Sequence, residues 1–106
     1  MKLPSLITDF VKAENSRDSS AVVACFAEDA VVQDEGREML GLLAIKEWSD
    51  KSFERFQYDI APTGIGEAGD KIMLTATVTG NFPGSPVSLD FIFVIKGDKI
   101  AALSIQ

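Results

Sequence analysis

The chain has 106 residues, of which 46% are hydrophobic and 25% are charged, and ten basic against sixteen acidic side chains give a net charge of −6. This length and composition predict one folded domain, residues 1–106, and exclude a largely disordered chain. No cluster of Lys and Arg is dense enough to follow a phosphate backbone, so nucleic acid is not expected as a partner. No apolar run approaches the roughly 20 residues that cross a bilayer, and no apolar N-terminal run follows a basic start. We therefore expect no membrane partner and a cytoplasmic location.

Histidine is absent from the chain, and Cys25 is its one cysteine. The absence of histidine excludes Ser-His and Cys-His catalytic pairs and nearly all catalytic zinc sites. Any chemistry therefore has to use Asp, Glu, Lys, Tyr, Ser or the single thiol, which is expected to be a packing residue. Four carboxylates fall close together, but their spacing matches no recognised calcium loop, so neither a metal nor a cofactor is expected. These are Glu28, Asp29, Asp34 and Glu35.

The first half of the chain is predicted to hold two helices and a strand. Side chains at helical spacing predict a first helix over residues 3–14, with Glu14 on its apolar stripe. A polar hinge over residues 15–19 ends it, and Asp18 or Ser19 caps a second, short helix that runs to Phe26. β-Branched residues then predict a strand that ends beside Asp34.

The second half is predicted to be mainly strands. Gly41 opens a third helix that includes Trp48, and residues 52–60 are predicted to begin a strand with Tyr58 facing inward. Glycines and prolines predict loops at residues 62–64 and 66–70. Three more strands are predicted at residues 72–79, 87–95 and 100–105. Helices that come first and an antiparallel meander that comes last favour an α+β fold.

The strand at residues 87–95 is predicted to bury one whole face. Its odd-numbered residues are all apolar, whereas the opposite face begins with Ser88 and Asp90 and continues with Ile92 and Val94. An outer face that is half apolar is what a sheet-to-sheet dimer would cover, so we expect a homodimer through the sheet. The alternative is that a loop of the same chain covers this face.

Several segments resemble the nuclear transport factor 2-like superfamily, which includes ketosteroid isomerases and SnoaL-like polyketide cyclases. Residues 10–15 (FVKAEN) resemble the first helix of these proteins, and residues 41–48 (GLLAIKEW) resemble their third. Residues 26–34 (FAEDAVVQD) resemble the helix–strand junction that carries the catalytic base. The resemblance covers most of the chain and implies a cone-shaped fold, with N-terminal helices packed on one face of a strongly curved, mostly antiparallel sheet. Because this fold hosts enzymes and non-enzymes, it implies no substrate.

The resemblance also implies which residues to examine for catalysis. Asp34 matches the isomerase general base, which moves a proton between carbons next to a carbonyl. Phe10 matches the tyrosine that donates to the substrate oxygen, and Ser49 matches a further tyrosine of some isomerases. The second donor, a protonated acid, falls on Asp90 or Leu89, and strand alternation favours Leu89. Since losing one such donor lowers the rate by about 100- to 1,000-fold, steroid isomerase activity of the usual kind is not expected.

Two functions remain open from the sequence. One is a small apolar-ligand pocket protein that acts as a cofactor-independent isomerase- or cyclase-like enzyme, with Asp34 as general base and Tyr58 as a candidate for the missing hydroxyl. The other is a non-catalytic ligand-binding or dimerisation module, in which Asp34 is exposed to water or pairs with Arg37. Both take a small hydrophobic molecule as the candidate partner. The residues expected to contact it are apolar or aromatic: Phe10, Phe26, Trp48, Tyr58, Leu89 and Phe91.

Overall fold

A computed structural model describes all 106 residues and contains three helices and one six-stranded sheet. The helices are α1 (Ser5–Asn15), α2 (Ser19–Ala24) and α3 (Leu42–Arg55). The strands are β1 (Phe26–Asp34), β2 (Arg37–Leu40), β3 (Tyr58–Ala68), β4 (Lys71–Gly80), β5 (Val87–Lys96) and β6 (Lys99–Ile105). The sheet is open, with the order β2-β1-β6-β5-β4-β3, and all neighbours are antiparallel except β1 and β6. The predicted α+β class is confirmed.

The helix–strand boundary before β1 lies earlier than the sequence predicts. The strand begins at Phe26, so residues 26–29 are strand and not the end of a helix. Phe26 pairs with Ile100 of β6, and both side chains are buried. Pairing with a neighbouring strand has overridden the local helical pattern, as tertiary contacts often do.

The boundary after α3 and the loops of β3 also differ from the prediction. Helix α3 continues to Arg55, so residues 52–55 are not strand, and β3 begins at Tyr58. The predicted loops at 62–64 and 66–70 are mostly strand, because pairing with β4 holds β3 as far as Ala68. A register shift at Pro62/Gly64 accommodates the proline in this edge strand. Strand β2 was not predicted, since it is short and buries only Met39.

The core lies between the helices and the inner face of the sheet. Phe10 of α1 is completely buried and makes edge-to-face contacts with three rings, at centroid distances of 5.3 to 6.4 Å. The rings belong to Phe26 of β1 and to Phe91 and Phe93 of β5. Such pairs add specific geometry to the apolar area that they bury. The packing of α1 on β1 and β5 fixes the position of the helix relative to the inner face of the sheet, and the candidate site lies beside this contact.

The outer face of the sheet carries the other half of β5. Asp90 lies on this face, where the Thr75 hydroxyl donates a hydrogen bond to its Oδ1 at 2.9 Å. Ile92 pairs with Met73, whose side chain is 45% exposed, and Val94 is half-buried. Thus Asp90 faces away from the inner face. None of the helices has the length and apolar character required to cross a membrane.

Candidate functional site

A cavity of about 710 Å³ opens beside α3, the end of β1 and the inner faces of β4 and β5. This volume lies within the roughly 300–1,000 Å³ typical of small-molecule sites. One wall is apolar and includes Val78, Val87, Leu89, Phe91 and Ile105. Acidic, basic and aromatic side chains complete the lining, so the cavity offers a ligand an apolar surface with a few polar groups around it.

Asp34 is the last residue of β1 and its half-buried side chain reaches the cavity. The indole Nε1–H of Trp48 on α3 donates a hydrogen bond to Asp34 Oδ2 at 3.1 Å. Burial raises the pKa of the Asp34 carboxyl above its ordinary 3.8, while the indole hydrogen bond partly opposes that rise. Arg37 lies opposite Asp34 in the β1–β2 pair, yet no ion pair joins them. The predicted alternative in which Asp34 pairs with Arg37 is therefore not seen in this structure.

Glu14 of α1 is a second acid at the cavity, and it was not among the predicted site residues. It is 3% exposed, and the Tyr58 hydroxyl donates a hydrogen bond to Glu14 Oε2 at 2.7 Å. Burial raises the pKa of Glu14 from 4.5 to about 7; the Tyr58 hydrogen bond opposes this and the nearby charge of Asp34 adds to it. The sequence contained one indication, since Glu14 falls on the apolar stripe of the first helix.

Tyr58 is held in place by contacts between the end of α1 and the start of β3. The Asn15 side chain donates to the Ile60 carbonyl at 3.0 Å and accepts from the Ile60 N–H at 2.7 Å. Arg17 donates to the Tyr58 carbonyl at 3.1 Å. Burial, with the adjacent Glu14, raises the pKa of the Tyr58 phenol, so it stays protonated at neutral pH. These backbone contacts fix the separation of Glu14 and Tyr58.

Four of the six residues predicted to contact a ligand line the cavity: Trp48, Tyr58, Leu89 and Phe91. Their contact with a ligand stays a prediction. Phe10 and Phe26 do not line it, because their rings pack against each other inside the core. These two residues are therefore corrected from the site to the core.

Neither position that carries a tyrosine in ketosteroid isomerases offers a hydroxyl to this cavity. Phe10 has none, and Ser49 of α3 is 1% exposed and does not line the cavity. The Ser49 hydroxyl has no hydrogen-bond partner. Leu89 faces the cavity, whereas Asp90 accepts a hydrogen bond from Thr75 on the other face of the sheet, as strand alternation predicts. Tyr58 is the one phenol that lines the site.

Solved structures similar to this chain share its whole fold. A proposed polyketide cyclase from Sinorhizobium meliloti is 39% identical, with a TM-score of 0.94 over 98% of this chain and 95% of that one. A protein of ketosteroid isomerase-like fold from Catenulispora acidiphila, solved with trimethylamine, is 20% identical, with a TM-score of 0.89 over 99% and 86% of the two chains. The epoxide hydrolase/cyclase-like enzyme SalBIII, of pyran ring formation in salinomycin, is 17% identical, with a TM-score of 0.82 over 95% and 86%. The last two likenesses concern the fold alone.

Family assignment rests on the sequence as well as on the fold. No curated protein matches the chain. The family model of the SnoaL-like domain matches residues 7–103, which include most of α1, the Asp34 strand and most of β6. The chain therefore belongs to the SnoaL-like domain family and has the ketosteroid isomerase-like fold of its structural neighbours.

Proposed function

We propose that this protein is a cofactor-independent enzyme of the isomerase or cyclase type, which moves a proton on a small apolar carbonyl compound with Asp34 as general base. The observation that carries the proposal is the setting of Asp34. Its carboxylate is half-buried at a largely apolar cavity, and its side-chain partner is the indole N–H of Trp48 rather than a cation. A carboxylate in such surroundings is a stronger base than one in water.

Two features of the cavity support Asp34 as the base that takes a proton from carbon. The Trp48 N–H orients the carboxylate through Oδ2, and the apolar wall, including Leu89 and Phe91, offers a surface for the body of a ligand. In the proposed step a C–H next to a carbonyl gives its proton to Asp34, and its electron pair forms an enolate. Where a C=C bond is conjugated with the enolate, return of the proton from Asp34 to the far carbon of this dienolate gives an isomer. Where the enolate attacks a second carbonyl of the same molecule, a ring forms and the resulting alkoxide takes the proton back from Asp34.

In this step the Glu14–Tyr58 pair stabilises the negative charge that develops on the carbonyl oxygen of the ligand. When Glu14 is protonated, its hydroxyl can donate to Tyr58 Oη, which frees the phenol proton to donate to the carbonyl oxygen of a ligand. A pKa of about 7 keeps a substantial share of Glu14 protonated at neutral pH. Tyr58 thereby takes the role of the tyrosine that donates to the substrate oxygen in ketosteroid isomerases, which Phe10 replaces in this chain.

Hydrogen–deuterium exchange tests the proposal without knowledge of the natural substrate. A small ketone such as 2-tetralone is dissolved in deuterium oxide with the protein, and NMR follows the loss of its α-protons. We expect the wild-type protein to accelerate the exchange above the rate in buffer, and the Asp34→Asn variant, which is the matched control, to fall back toward that rate. Equal rates for the two proteins, with the ketone bound to both, would contradict the proposal.

The second candidate is a non-catalytic ligand-binding or dimerisation module of the same fold. The observation that favours it is the absence of a hydroxyl at Phe10 and of a cavity-facing one at Ser49. This function predicts that an apolar molecule raises the melting temperature while no ketone exchanges its α-protons. The exchange experiment therefore separates the two functions.

A homodimer through the outer face of the sheet is part of both candidates. Met73 is 45% exposed there, with Ile92 and Val94 beside it, and the Thr75–Asp90 hydrogen bond lies in the same surface. A second copy would remove this apolar area from water. Sedimentation at micromolar concentration is expected to give a species of about twice the 11.4 kDa chain mass. A single species at the chain mass would end the dimer proposal.

A further inference from the structure

Three cationic side chains line the cavity, and none of them is used by the proposed proton transfer. Arg37 begins β2, while Lys51 and Arg55 lie one turn apart on α3, and all three are exposed. Because they are exposed while Glu14 is buried and Asp34 is half-buried, they lie at the mouth of the cavity. We call Arg37, Lys51 and Arg55 the cationic rim.

The acids and the cations of the cavity differ in their burial and in their bonding partners. Neither Asp34 nor Glu14 forms an ion pair with a rim cation, and each bonds instead to an aromatic donor. Conversely, no rim cation is among the groups that shift the pKa of Asp34. The two acids are therefore held by aromatic donors, whereas the three cations are exposed at the mouth of the cavity, where Arg37 begins β2 opposite Asp34.

The rim keeps positive charge that the protein does not neutralise. Lys51 pairs with the exposed Glu47 at 2.8 Å, and the Arg55 guanidinium lies 4.9 Å from the centre of the Phe56 ring. Arg37 forms no ion pair, although its charge acts on Glu47. Glu35 is the one acid that lines the cavity outside the interior pair. Three cations thus face two acids at the mouth of a cavity in a chain of net charge −6.

We propose that the substrate of this cavity is an apolar carbonyl compound with an anionic group, a carboxylate, at the end away from the reacting carbonyl. The anion lies at the cationic rim, the apolar body lies along Leu89 and Phe91, and the carbonyl lies between Asp34 and Tyr58. The reverse orientation would bring two carboxylates together at Asp34. This inference rests on the proposed function for the position of the carbonyl. It concerns the affinity for the ligand, which is measured without turnover.

Binding of a matched pair of ligands tests the inference. We compare 7-oxooctanoate with its neutral amide, 7-oxooctanamide, by fluorescence of Trp48, which lines the cavity and is the one tryptophan of the chain. At about 20 mM salt we expect the carboxylate to bind about tenfold more tightly than the amide, and the preference to shrink as salt screens the exposed rim. Equal affinities, tighter binding of the amide, or no binding of either ligand would overturn the inference.

Two triple variants show whether the rim causes the preference. Arg37→Gln/Lys51→Gln/Arg55→Gln is expected to bind both ligands equally. The control Lys46→Gln/Lys71→Gln/Lys96→Gln removes the same charge from exposed positions outside the cavity lining and should keep the preference. Loss of the preference in the control as well would assign it to net charge and overturn the inference.

Asp34→Asn separates this inference from the proposed function. The variant should keep the carboxylate preference, because Asp34 forms no ion pair with any of the three rim cations. A preference found in Asp34→Asn but not in the wild type would place the anion at the interior and overturn the inference. A wild-type protein that prefers the carboxylate but exchanges no α-protons would remove the general base while leaving the substrate class in place.

Discussion

Replacing Asp34 by asparagine is expected to lower the rate of α-proton exchange by about 100- to 10,000-fold. This is the range that a positioned general base contributes, and an amide cannot accept the proton. No second base replaces it, since Glu14 is 3% exposed and is bonded to Tyr58. NMR exchange rates of the two proteins at saturating ketone measure the effect, so that any difference in affinity does not enter.

The same variant should fold and bind its ligand nearly as the wild type does. The side-chain carbonyl of asparagine can still accept the Trp48 N–H that now donates to Asp34 Oδ2. The substitution also removes a half-buried charge, so the melting temperature should be unchanged or slightly higher. If exchange falls together with the melting temperature and the affinity, a structural role for Asp34 would replace the catalytic one.

Glu14 is expected to make the protein less stable as the pH rises from about 4.5 to about 7. Burial raises the pKa of Glu14 from 4.5 to about 7, so in this window the folded state binds more protons than the unfolded state. Stability therefore falls with increasing pH, by about 3 kcal/mol in all for this group, and the loss is complete above pH 7. Below pH 4.5 Glu14 is protonated in both states and contributes no pH dependence.

Urea unfolding of wild type and Glu14→Gln at several pH values isolates this contribution. Glutamine is neutral and can keep a hydrogen bond to Tyr58, so the variant should match the wild type near pH 4 and be about 3 kcal/mol more stable near pH 8. Glu54→Gln, at an exposed position of α3, is the control that changes the same net charge. A constant difference between Glu14→Gln and wild type across this range would show that Glu14 is not desolvated.

The sequence predicts the parts of the fold that depend on local patterns. The alternation of β5 places Leu89 and Phe91 on the inner face, as the structure has them, and the order of elements gives the α+β class. The end of α3 and the bounds of β3 differ from the prediction, because pairing or packing with distant segments outweighs local propensity there. The four-residue strand β2 has too little apolar pattern to be recognised.

The candidate site was predictable only in part, for a related reason. The sequence predicts Asp34 at the end of a strand, which is a local feature, and the resemblance to ketosteroid isomerases implies its role as a base. The Glu14–Tyr58 hydrogen bond joins residues 44 positions apart, and no spacing rule brings an α1 acid to a β3 phenol. The match of Phe10 to a catalytic tyrosine predicts a place in the site, but Phe10 has no hydroxyl and packs among three other phenylalanines.

The pKa of Asp34, followed by NMR of its carboxyl carbon, tests most directly whether this acid is set up as a base. A Glu14→Gln background separates the titration of Asp34 from that of Glu14, whose pKa the charge of Asp34 raises. We predict a pKa above the ordinary 3.8 because burial raises it, and a further rise in Trp48→Phe, which removes the N–H that lowers it. A pKa at or below 3.8 that does not respond to Trp48→Phe would contradict the account of Asp34 as the desolvated base of the cavity.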